Sequence, residues 1–336
     1  MSERGERIRA FLAQAGWADV PRRPLAGDAS FRRYERLEGP GRRAVLMDAP
    51  PPQEDVRPFL AVARLLQKLK LSAPEILAED VEAGLLLLED FGDRTYTRLL
   101  ADGGDEAALY RLAVDVLIAL HRRFEPALGV GLPPYDVARL LAEAALLVDW
   151  YLPAVAGAPT PPALREEYLA MWRAVLPLAV ALPATLVLRD YHVDNLMLLE
   201  GRTGLAACGL LDFQDAVIGS PAYDLVSLLE DARRDVSADL ATALSERYLA
   251  AFSTVDPADF ATAAAVLAAQ RNCKILGIFT RLCVRDGKPQ YLVHTPRLWR
   301  LVERDVSHPA LTPLRRWLDR HIPTDLRRIP RHEVVS

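Results

Sequence analysis

The chain has 336 residues, 51% of them hydrophobic and 26% charged, with a formal net charge of −4. That composition suits two lobes with their own cores, and its mild acidity offers no basic field for nucleic acid. The first 17 residues, MSERGERIRAFLAQAGW, lack the apolar core of a signal peptide, and the longest apolar run, 174–188, is too short to span a bilayer and contains two prolines. Cys208, Cys273 and Cys283 show no C-x-x-C spacing, as expected of buried thiols in a reducing cytoplasm. Only four of the 41 basic residues are Lys, and the only two Asn are Asn195 and Asn272.

Residues 5–17 read as a short amphipathic helix. The turn signal Gly39-Pro40-Gly41 separates two strand-like runs, 31–37 and 44–48, and predicts a hairpin ended by Pro50–Pro52. Apolar residues at 56, 59, 60, 63, 66 and 69 predict a helix over 54–69. GLLLLEDFG (84–92) reads as a buried strand entering an acidic turn. Beyond residue 93 the texture is Ala/Leu-rich, and helices are expected over 105–123, 136–151, 162–180, 237–253, 257–270 and 271–285. Short apolar runs at 185–188 and 196–199, then CGLLDFQD (208–215), interrupt them, and the Arg-rich segment from Leu314 reads as a tail that frays at its end. The plan is α+β: residues 1–92 form a small β-rich lobe and 93–336 a larger, mainly helical one.

The stretch VLRDYHVDNLMLL (187–199) sets a polar island between two apolar runs. A plain hairpin has that pattern. Here, however, Asp190 and Asn195 stand five residues apart, and Asp212 follows another apolar run. Phosphoryl transfer needs this set: one carboxylate to take a proton from the attacking hydroxyl, and a carboxylate with an amide oxygen to hold Mg2+ against nucleotide phosphates.

Asp190, Asn195 and Asp212 resemble the H-R/G-D-x4-N loop and the D-F-G-type metal loop of the bilobal protein-kinase-like fold, especially its aminoglycoside phosphotransferase branch. GDASFRRYERL (27–37), VLMDAPPPQEDVRPFLAVARLL (45–66), GLLLLEDFGDRTY (84–96), LRDYHVDNLML (188–198), GLLDFQDAVIGSPAYDLVSLLEDAR (209–233) and KILGIFTRL (274–282) together resemble the bacterial N-acetylmuramate/N-acetylglucosamine anomeric kinases of cell-wall recycling.

That resemblance implies an ATP- and Mg2+-dependent kinase of the sugar's C1 hydroxyl, a monomer acting in the cytoplasm on an amino sugar, with no nucleic-acid or membrane partner. It implies Asp190 as catalytic base and Asn195 and Asp212 as metal ligands. Ser30 and Phe31 fall in the matching phosphate loop, and Glu89, Asp90 and Phe91 in the inter-lobe linker that meets adenine. An ordinary strand-entry loop and a bland edge strand are the alternatives for these two stretches. Two departures stand out. Met47 occupies the position where protein kinases carry a phosphate-gripping Lys, and no Lys lies between residues 1 and 67, so Arg32 and Arg33 are the candidates for the missing charge. Leu188 stands where many relatives carry a loop-orienting His. His192, Asp194, Gln214 and Asp215 are candidate substrate contacts, and Lys274, Arg281 and Arg285 candidate partners for a lactyl carboxylate. Asp224 is expected to brace the catalytic loop. Two other readings stay open here: a kinase of the same fold acting on an aminoglycoside, choline or homoserine, and a non-catalytic nucleotide-binding regulator.

Overall fold

The computed structural model describes residues 3–25 and 31–331. The chain begins with α1 (Glu3–Gln14), β1 (Arg22–Pro24), β2 (Arg33–Gly39), β3 (Arg42–Asp48), α2 (Arg57–Lys68), β4 (Ile76–Asp80) and β5 (Leu85–Glu89). Next come α3 (Tyr96–Ala101), α4 (Glu106–Arg123), α5 (Val137–Ala144), a π-turn over Leu147–Tyr151, α6 (Leu152–Ala156) and α7 (Pro162–Ala179). Four three-residue strands follow: β6 (Thr185–Val187), β7 (Leu196–Leu198), β8 (Cys208–Leu210) and β9 (Val217–Gly219). The chain then runs through α8 (Ala222–Leu229), α9 (Ala238–Ala250), α10 (Pro257–Val284), α11 (Thr295–Asp305) and α12 (Thr312–His321). Among the described residues no helix is long and apolar enough to cross a membrane.

Two compact units divide this chain. The first combines residues 1–116 with 193–216, and the second combines 117–192 with 217–336. This division differs from the change of texture at residue 93. Residues 93–116 and the β7–β8 hairpin group with the N-terminal sheet.

In the first unit the sheet order is β1-β2-β3-β5-β4, antiparallel throughout. The expected hairpin is β2–β3, and Gly41 takes the φ of 70° that its turn needs. Because side chains alternate, Ala44, Leu46, Leu85 and Leu87 share one face, where Ile8, Phe11 and Leu12 of α1 cover them. Met47 lies on the opposite face and is 1% exposed.

The second unit is built around α10. Pro257 opens this helix, and the Asp256 side chain caps it by accepting from the N–H groups of Ala258 (2.8 Å) and Asp259 (3.1 Å). The sequence suggested two helices meeting at residues 270 and 271; the structure has one. Gln270, Arg271 and Asn272, at that boundary, are buried and bonded in the interior. Gln270 donates to the Leu140 carbonyl at 2.9 Å, and Asn272 donates to Glu230 and Asp305, each at 2.9 Å. The helix crosses the segment ahead of the π-turn at Gly277, where a Cβ would lie 2.3 Å from the Leu146 carbonyl. Backbone on both sides leaves no room to yield, so Gly277→Ala is expected to cost about 3 kcal/mol of stability. An unchanged denaturant midpoint in that variant would overturn the packing argument.

The fraying expected at the end of the tail falls on residues outside the described ones, and the segment ahead of them is docked. α12 buries Leu314, Trp317 and Leu318, while Arg327 pairs with Glu303 and Asp319, each at 2.7 Å. Of the arginines on this segment Arg327 docks through ion pairs, whereas Arg315, Arg316 and Arg320 are exposed. Its last five residues, 332–336, lie outside the described residues.

Candidate active site

The two apolar runs flanking the polar island are not each other's hairpin. β6 pairs with β9, and β7 pairs with β8. The chain passes from one unit to the other between His192 and Val193, so each unit carries its own part of the candidate machinery.

In the second unit the Asp224 carboxylate holds the loop after β6. Leu188 N–H donates to it at 2.6 Å and Arg189 N–H at 2.9 Å. Ser227 Oγ donates to the Arg189 carbonyl at 3.3 Å. Leu188 is 3% exposed, so the loop loses the polar support of a His and gains apolar packing. Asp190 follows, exposed. Asp224 is fully buried, and burial pushes its carboxyl up to about 7; the two N–H donors and Arg271 pull it down, while Asp190 pushes it up. His192 is also buried, which together with Arg233 and Arg271 holds its imidazole neutral, well below its usual pKa. At 6% exposure it packs within the loop.

In the first unit the β7–β8 pairing brings Asn195 and Asp212 together. Leu211 N–H donates to the Asn195 carbonyl at 3.0 Å, so the two residues occupy neighbouring strand ends. Asp212 has φ of 56°, in the left-handed region that non-glycine residues seldom adopt. Its Oδ1 accepts from Gln214 Nε2 at 2.9 Å and lies 3.8 Å from Arg32 Nη2. Arg32 Nε is also 3.8 Å from Glu54, whose carboxylate accepts from Phe31 N–H at 3.0 Å. Burial works against the Arg32 charge, but Tyr34 and the carboxylates of Asp212, Glu54 and Asp215 outweigh it and hold the guanidinium above its usual pKa. Arg33, the alternative candidate, is exposed at the start of β2, as is Phe31 ahead of it, and Ser30 lies outside the described residues. Asp215 is exposed, and Asp194 accepts from Thr97 Oγ1.

The donor chemistry fits Mg2+. Asn195 and Asp212 offer hard oxygens, and no group of three His, Cys, Asp or Glu side chains able to hold a metal exists among the described residues. A small protein contribution suits an ion that keeps water and phosphate oxygens in its shell.

The linker residues are tied through their side chains. Asp90 accepts from Arg36 Nη2 at 3.0 Å and from Gly92 N–H at 2.9 Å, and Glu89 accepts from Arg202. The Phe91 ring packs where a Gly209 Cβ would stand 2.8 Å away. Of the cations on α10, Lys274 is 3.0 Å from Glu143, and Arg281 is half-buried. Arg285 is exposed and pairs with its neighbour Asp286 at 2.7 Å. Sequence reading missed Glu143 altogether. It sits in an ordinary amphipathic helix pattern, and only the fold places it against the residue ahead of Asp190.

Residues 21–265 match the model of the phosphotransferase enzyme family. The chain belongs to that family. Like other members it is a phosphotransferase. Its curated relatives include an N-acetylmuramate/N-acetylglucosamine kinase from Caulobacter vibrioides, 39% identical over 97% of this chain and 99% of that protein. A protein of the same name from Pseudomonas aeruginosa is 42% identical over 90% of each. Among solved members of the fold, a choline/ethanolamine kinase family protein from Mesorhizobium loti matches with a TM-score of 0.63 at 16% identity, covering 96% of this chain and 99% of that one. The GDP complex of an aminoglycoside 2'-phosphotransferase-IIIa also gives 0.63 at 16% identity, covering 91% and 99%. The family fold is thus α+β and protein-kinase-like, with a five-stranded sheet near the N-terminus and a mainly helical remainder.

Proposed function

We propose that this chain transfers the γ-phosphoryl group of ATP to the anomeric C1 hydroxyl of N-acetylmuramate and N-acetylglucosamine, giving the sugar 1-phosphate and ADP. The observation that carries the reading is the relative bearing that name, 39% identical over 97% of this chain. The solved relatives with GDP or ATP bound support a nucleotide as donor.

In this reading Asp190 accepts the hydroxyl proton as the sugar oxygen attacks phosphorus, and the proton leaves to solvent from its exposed carboxylate. Asp224 holds the loop at two backbone N–H groups and fixes where Asp190 projects. Asn195 and Asp212 would hold Mg2+, which supplies neutralising charge for the phosphate oxygens. Arg32, beside Asp212, takes the place of the missing strand Lys. Residues 1–92 serve as the nucleotide-binding lobe and 93–336 as the catalytic and substrate-binding lobe, in a cytoplasmic monomer.

The test is 31P NMR of the product made from each sugar with ATP. A C1-phosphate resonance coupled to the anomeric proton is expected. A C6-phosphate, or no sugar phosphate, would sink the reading.

A further inference from the structure

The residue immediately ahead of Asp190 is held by more than its backbone. Arg189 has φ of 71°, a conformation that must be maintained by its surroundings. Its guanidinium lies in a box built from several elements. Nη2 donates to Glu143 Oε1 at 2.6 Å, and the guanidinium carbon is 5.4 Å from the Tyr135 ring centroid. Tyr135 Oη donates to Glu143 Oε2 at 2.5 Å, and Lys274 Nζ lies 3.0 Å from the same oxygen. Lys274 also donates to Tyr223 Oη at 3.3 Å, and the Tyr223 ring meets Tyr135 edge-on at 4.9 Å. The side chains of Arg189, Glu143 and Lys274 are 14%, 15% and 11% exposed.

Charge compensation in this box depends on Glu143. Burial works against its charge, yet Lys274, Arg189 and Tyr135 outweigh it and hold the carboxyl below its usual pKa. The Arg189 Nε is buried without a hydrogen-bond acceptor among the described residues. Two cations therefore share one carboxylate here. The other charged groups around the loop include Asp190, whose field acts on Arg189, Asp224 on α8, Arg271 on α10, whose field acts on Asp224, and Arg233, which with Arg271 acts on His192. A guanidinium released from Glu143 would have the carboxylate of Asp190, the next residue, as its alternative partner.

We propose that Glu143 is a positioning residue for phosphoryl transfer: by holding the Arg189 guanidinium it keeps that cation off the Asp190 carboxylate and steadies the loop that presents it. The inference rests on the phosphoryl-transfer reading above, so sugar 1-phosphate formation by the wild type is measured first, and a failure there concerns that reading alone. With an active wild type, Glu143→Gln is expected to lower kcat about 30-fold while both KM values stay within about twofold. Arg189→Met alone is expected to lower kcat only about threefold, because it removes the competing cation. The double variant Glu143→Gln/Arg189→Met should then recover most of the kcat lost by Glu143→Gln. A merely structural Glu143 gives losses that multiply, and that result would overturn the proposal. Full kcat in Glu143→Gln, or a loss confined to KM, would overturn it too. If Glu143→Gln does not fold, Glu143→Asp, which keeps the charge and shortens the reach, carries the same comparison with Arg189→Met.

Discussion

Asp190→Asn is expected to lower kcat by about 10³-fold while the KM for ATP stays near its wild-type value. The substitution keeps size and shape at an exposed position and removes only the capacity to take a proton. An exposed residue of this kind contributes within about 0.5 kcal/mol to stability, so the melting temperature should barely move. The loss would thus appear as chemistry and not as unfolding. Steady-state kinetics with each sugar, beside a thermal melt, makes the comparison. An Asp190→Asn enzyme with wild-type kcat would remove the base from the mechanism and revive the reading of a chain that binds nucleotide without catalysing transfer.

Asp224→Ala should produce the second large effect, and it should be double. The carboxylate accepts from Leu188 N–H at 2.6 Å and Arg189 N–H at 2.9 Å in a fully buried place. Removing it strands two buried donors, each worth about 1–3 kcal/mol. Activity should fall about 100-fold as well, since the loop presenting Asp190 loses its anchor. The stability part carries a pH signature. The folded-state pKa is about 7 against an ordinary 3.8, so between those values the folded chain keeps a proton that the unfolded chain has released. The wild type's unfolding free energy therefore gains from this group at low pH and loses that gain as pH rises toward 7. The variant lacks the group, so its stability deficit should be larger at pH 5 than at pH 7.5. Equal deficits at the two pH values in denaturant titrations would show that Asp224 is ionised throughout.

Much of the candidate site was legible because its chemistry is compressed into short spacings. Asp190 and Asn195 are five residues apart, and Asp212 ends another apolar run. What surrounds them was not legible. Arg32 and Arg33 are neighbours of identical chemistry, and only the start of β2 turns Arg32 toward Asp212 while leaving Arg33 exposed. Arg285 looked equivalent to Lys274 along one helix, yet it meets Asp286 at the helix end while Lys274 meets Glu143 in the interior. The boundary expected between residues 270 and 271 vanishes because Gln270 and Asn272 donate to interior acceptors, which leave no local trace in a sequence.

Short-range patterns in the sequence specify the local elements and point to the candidate reacting groups. Alternation, turn residues and caps act within a few positions, as in the β2–β3 hairpin and the Asp256 cap of α10. The tertiary structure alone decided how those groups are supported. β6 pairs with β9 and β7 with β8, and Asp224 and Glu143 reach the Asp190 loop from 35 and 46 residues away from Arg189. The physical reason is that a buried carboxylate is defined by the donors that meet it. Those donors come together only when the chain has folded back on itself.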